Sequence, residues 1–162
     1  MALWTFRAQV VPNEALGDCR KLTEEQFDDL YPHFWDKRDG EDIALQFLAM
    51  LPPLKGWDEN LKLVGFDGGD RIEVWREKGR VTNIMVKIDC RAPNLAFVDA
   101  LEAIGAANRL LFIYDRTFDV CEPSRGAFRQ FVLSSANRRA LLDPERWLPY
   151  LAEEVRKREP NE

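Results

Sequence analysis

Two runs of strict alternation dominate the pattern of apolar and polar positions. Ile72 and Val74 alternate with Arg71, Glu73 and Trp75, and Ile84, Val86 and Ile88 alternate with Asn83, Met85 and Lys87. A two-residue period sends successive side chains to opposite faces of a strand, so the runs predict an antiparallel hairpin over residues 70 to 89. Glu77-Lys78-Gly79 suits the short connection, with Gly79 taking positive φ. Leu61 and Leu63 alternate before the turn signal Asp67-Gly68-Gly69-Asp70, which adds a third strand and makes a meander. Trp4, Phe6 and Ala8 alternate with Thr5, Arg7 and Gln9 up to Pro12, predicting an N-terminal strand over residues 3 to 11.

Helical spacing fills the intervals. Thr23-Glu24-Glu25-Gln26 fits a capping box, in which the Thr23 hydroxyl accepts from the backbone three residues on and Gln26 reaches back. The helix behind it should end near Tyr31, because Pro32 disfavours helical geometry in the residue before it. Ile43, Leu45, Phe47, Leu48 and Leu51 predict a second helix from Glu41 to Leu51, stopped by Pro52-Pro53 and packed through Phe47 and Leu51. Asn94 is the expected N-cap of a helix carrying Phe97, Val98, Leu101 and Ile104. Leu110 to Tyr114 reads as a strand, with Phe118 to Cys121 returning as its partner. Ser124 is expected to cap a helix bearing Phe128, Phe131 and Val132, and Asp143-Pro144 to start a last one that Pro149 interrupts. The fold class that follows is α+β: a mostly antiparallel sheet covered by four to five helices.

Composition supports an ordered chain. At 162 residues, with 46% hydrophobic residues, 10 Phe and 5 Trp, it falls in the range of one self-sufficient domain. The first eleven residues lack a basic segment followed by an apolar run, and no stretch approaches a membrane span, so neither secretion nor insertion is expected and the cytoplasm is the expected compartment. Cys19, Cys90 and Cys121 are odd in number, far apart and without a C-x-x-C pair. They predict reduced thiols and neither a disulfide framework nor zinc.

Charge changes the picture more than composition does. Of the net −5, residues up to Asp70 carry 7 Lys+Arg against 14 Asp+Glu, and the remainder 16 against 14, so −7 is followed by +2. An early acidic surface repels nucleic acid and anionic membrane and attracts a basic partner. Arg125, Arg129, Arg138 and Arg139 lie near helical spacing and could touch phosphates, but the overall acidity opposes that reading.

No catalytic motif is legible. The single histidine, His33, could act as a base beside Asp36, yet no serine or cysteine sits in a nucleophile elbow. Asp36, Asp39, Glu41 and Asp42 crowd around Gly40 without the spacing of a calcium loop. No cofactor and no metal is expected. The residues singled out for partner contact are instead Asp28, Asp29, Tyr31, His33, Trp35, Asp36, Asp39 and Asp42, where aromatic anchors sit among steering acids.

From Trp57 through Asp143 the segments Gly56-Trp57, Asp70-Arg71-Ile72-Glu73-Val74-Trp75, Gly79-Arg80-Val81, Asn94-Leu95-Ala96-Phe97 and Cys121-Glu122-Pro123 follow a familiar order. In this the chain resembles a group of small uncharacterised bacterial cytoplasmic proteins, some of them similar to immunity proteins of bacterial toxin systems. The resemblance implies a non-enzymatic domain that occludes a basic toxin, and it carries over no catalytic residue. Two alternatives stay open: a small-molecule or nucleotide-binding regulatory domain or weak hydrolase using His33, Asp36 and an arginine, and a structural subunit of an assembly.

Overall fold

Backbone pairing in the computed structural model, which describes residues 3–158, gathers the predicted strands into one antiparallel sheet. The strands are β1 (Thr5–Pro12), β2 (Pro53–Leu54), β3 (Leu61–Gly65), β4 (Arg71–Glu77), β5 (Arg80–Asp89), β6 (Leu110–Tyr114) and β7 (Val120–Cys121), in the order β2-β3-β4-β5-β1-β6-β7. Lys78 (φ 50°) and Gly79 (φ 77°) both take left-handed backbone between β4 and β5, the geometry that matches the twist of a tight hairpin. The helices are α1 (Glu24–Leu30), α2 (Glu41–Leu48), α3 (Leu95–Ala107), α4 (Ala127–Leu133), α5 (Ala136–Leu142) and α6 (Pro144–Arg158), with a 3-10 turn at Tyr31–His33.

Register decides which face is core. Phe6, Ala8 and Val10 stand opposite Ile88, Val86 and Ile84, and the last two stand opposite Ile72 and Val74. On the other flank Ala8 and Val10 meet Tyr114 and Phe112. All of these side chains are buried on one face, where α2 packs over β3 to β5 and α3 packs on β6 and α4. Phe112 and Phe128 stack with centroids 4.1 Å apart, and Phe6 stacks on Tyr114 at 4.9 Å. Each fully buried phenylalanine contributes about 1.5–3 kcal/mol. Gly105 permits the close approach of α3, since a Cβ there would lie 2.7 Å from the Phe112 ring. Alternation sends Arg7, Gln9, Arg71, Glu73, Trp75, Asn83, Met85 and Lys87 to the opposite face.

Four local expectations are corrected. Pro53 does not merely stop a helix: it enters β2, an edge strand, where its missing N–H costs no ladder bond. Ser124 does not cap α4. Its N-terminus is satisfied across the fold by Glu102 of α3, whose carboxylate oxygens each accept at 2.7 Å from the N–H groups of Gly126 and Phe128. The segment after it divides into α4 and α5, because the Ser135 side chain accepts from the Arg138 N–H and starts a new helix, so the described residues form six α-helices where four to five were expected. Helix α6 runs on through Pro149, held by Leu151, which is buried two residues beyond.

Candidate functional site

Helix α1 begins with the predicted capping box: the Gln26 N–H donates to Thr23 Oγ1 at 3.1 Å, and Gln26 Oε1 accepts from the Thr23 N–H at 2.9 Å. It buries no residue fully, so Glu24, Glu25, Asp28 and Asp29 are all exposed. Two like-charge pairs result at the i,i+4 spacing, Glu24 with Asp28 and Glu25 with Asp29. Each such pair destabilises a helix by about 0.2–0.5 kcal/mol. Asp28 and Asp29 also face the negative end of the helix, which has no basic residue in its last turn, and neither forms an ion pair among the described residues.

The chain then turns back at Tyr31-Pro32-His33. The Tyr31 ring packs against Phe27 and Phe34 with centroids 5.7 and 6.2 Å away, which fixes its direction while leaving the residue 39% exposed. Burial of the phenol raises its pKa; Arg7 opposes this, Glu73 adds to it, and hydrogen bonding with Asn83 opposes it. Tyr31 therefore lies over the sheet face opposite α2 and α3, beside Trp75 and Asn83.

Beneath it lies a cleft of about 470 Å³ lined by Tyr31, Pro32, Asp58, Trp75, Glu77 and Asn83, among others. Asn83 is only 6% exposed. Its Nδ2 donates to Gln9 Oε1 at 2.7 Å, but its Oδ1 is buried without an aligned hydrogen-bond donor. Trp57, 64% exposed, meets Trp75 edge-on at 6.3 Å beside the cleft. Arg76 also lines it, but that guanidinium is held by both carboxylate oxygens of Glu41 at 2.9 and 3.0 Å. Besides Pro32, Asn60 and Thr82, the lining offers two carboxylates, the Asn83 amide oxygen and two aromatic faces, which favour a cation.

The other residues singled out from the sequence divide. His33 Nδ1 pairs with Asp36 Oδ2 at 2.7 Å on the surface. Asp39 accepts from the Glu41 N–H at 3.0 Å, and Asp42 lies exposed in the first turn of α2, so both stabilise that helix start. Trp35 is corrected from contact residue to core: it is 3% exposed, and Gly40 packs so tightly on its ring that a Cβ would approach to 2.8 Å. Asn83, Trp75, Asp58 and Glu77 escaped the sequence reading. Only Asn83 left a signal, as an amide at a non-core position of an otherwise apolar strand.

Catalytic geometry is not assembled from these groups. The side-chain partner of His33 is the exposed Asp36 carboxylate. Burial pushes the Cys90 thiol up to about 11 and that of Cys121 up to about 12, which suppresses the nucleophilic thiolate. Among the described residues no group of three or more His, Cys, Asp or Glu could hold a metal ion, and no helix is long and apolar enough to cross a membrane. In a larger cavity of about 580 Å³ beside the end of α3, Arg20 pairs with Glu122 and Glu14 with Arg38, while Asp18 and Arg109 also line it. No protein-family model matches the chain, and neither a curated protein nor a solved structure matches it.

Proposed function

We propose that this chain is a non-enzymatic protein-binding domain whose partner is basic, acting in the manner of an immunity protein that occludes the cationic surface of a toxin. The observation that carries the reading is the charge on α1. Asp28 and Asp29 oppose their own helix dipole and form no ion pair among the described residues, so their charge is unfavourable to the helix that carries it. Residues that break a local rule without compensation inside the molecule mark function. The cleft under Tyr31 supplies the second element of the surface. A lysine or arginine of the partner entering it would meet Asp58, Glu77 and the aromatic faces of Tyr31 and Trp75, while Asn83 Oδ1 would gain the donor it lacks.

Co-purification with the product of the neighbouring gene, at low and at high salt, tests this. A stable complex is expected that weakens when Asp28 and Asp29 are both replaced by lysine. Absence of a complex at every salt concentration, or a complex indifferent to that charge reversal, would refute the reading.

A further inference from the structure

Elsewhere on the sheet face opposite α2 and α3, charge of the opposite sign is concentrated. Arg7 of β1 stands directly opposite Lys87 of β5, and Lys87 stands directly opposite Arg71 of β4. Three cations thus form one row across three adjacent strands. Like charges directly opposite one another destabilise a sheet, so the row needs a reason.

Internal pairing answers only part of the charge. Glu73, 4% exposed, accepts from Lys87 Nζ and lies 3.3 Å from Arg71 Nη2. Asp115 Oδ2 lies 3.2 Å from Arg7 Nε. Two carboxylates therefore pair with the three cations, and neither Glu73 nor Asp115 lines the cleft into which the row opens. The Nε atoms of Arg7 and Arg71 are buried, and neither makes an aligned hydrogen bond. The row opens into a cleft of about 320 Å³ whose other walls are Trp4, Thr5 and the turn Asp67-Gly68-Gly69. Asp67 is the one carboxylate of that lining among the described residues, and the two glycines place no side chain across the mouth.

We propose that this cleft binds a compact oxyanion, a phosphate or carboxylate group carried by a small ligand, through Arg7, Lys87 and Arg71. Guanidinium forks match the paired oxygens of such a group, and a lysine adds a point charge between them. Burial lowers the Lys87 pKa, Glu73 opposes this by hydrogen bond and charge, and Arg71 and Arg7 lower it by smaller amounts, so a bound anion would add to what Glu73 supplies. Trp4, with Arg91 stacked 5.1 Å over its ring, stands at the rim where the body of the ligand would rest. The site is separate from the acidic cleft under Tyr31 and does not depend on the reading of α1.

Titration of the isotope-labelled full chain with inorganic phosphate, followed by amide NMR, tests the site, with sodium acetate and sodium chloride run at matched ionic strength. Phosphate should shift the amides of Thr5, Gly68, Gly69 and Lys87 saturably, and Arg71→Gln should weaken the fitted Kd at least tenfold. Saturation by phosphate alone, or by phosphate and acetate, supports the site and distinguishes the two ligand chemistries. Shifts that track ionic strength equally in all three salts, or saturable shifts that spare these amides, would overturn it. Should Arg71→Gln fail to fold, Arg7→Gln serves the same purpose, and the wild-type titration decides independently.

Discussion

Tyr31 joins the two faces of the account. Its ring is set by Phe27 and Phe34, and its hydroxyl feels Arg7, Glu73 and Asn83 from the sheet. Because its phenol titrates above the ordinary value of 10.0 when folded, the associated stability is complete below about pH 10 and is lost as pH rises through the folded pKa. Urea unfolding between pH 9 and 11 should therefore show stability falling with pH, with a shallower fall in Tyr31→Phe; an unchanged slope would remove Tyr31 from that environment. The thiols give a second residue-scale test. Native protein should react with a thiol reagent at Cys19 and be protected at the buried Cys90 and Cys121, and all three should react after denaturation. Tyr31 was legible because an aromatic beside a proline among acids stands out. The fate of Trp35 was not, since only the tertiary course of the turn at Gly40 carries that indole inward.

Elements written in local signals came through from the sequence: the hairpin from its alternation, α1 from its capping box, and α3 from Asn94, whose Oδ1 accepts from the Phe97 N–H at 3.2 Å. Elements that depend on distant partners did not. The cap of α4 comes from Glu102, 24 residues from Gly126, and no periodicity announces it. Replacing Glu102 with alanine should cost about 1–2 kcal/mol by removing two N-terminal acceptors, measurable by denaturant unfolding; Ser124→Ala should cost far less. The acids of α1 should behave in the opposite way. Asp28→Asn/Asp29→Asn should raise stability by about 0.5–1 kcal/mol, because two like-charge pairs and an unfavourable interaction with the helix dipole disappear. A destabilised double variant would mean that these carboxylates serve the fold after all.

Across the whole molecule, the division of charge into −7 up to Asp70 and +2 beyond it gains a physical setting. Helix α1, Tyr31 and Asp58 all belong to the acidic part, whereas the cationic row is completed by Arg71 and Lys87 from the later part, with Arg7 supplied by β1. That juxtaposition was hidden from the sequence because β1 inserts between β5 and β6, a pairing set by the packing of Phe6, Ala8 and Val10 rather than by neighbouring turns. A surface built to attract a basic partner should act chiefly on the rate of encounter, and surface electrostatics lose reach as the screening length shrinks from about 14 Å at 50 mM salt to about 4 Å at 500 mM. The most direct test is the association rate constant with the basic partner, measured by stopped flow across that salt range. The wild type should slow at least tenfold, with Asp28→Lys/Asp29→Lys already slow at low salt; equal rates for the two proteins, independent of salt, would contradict the account.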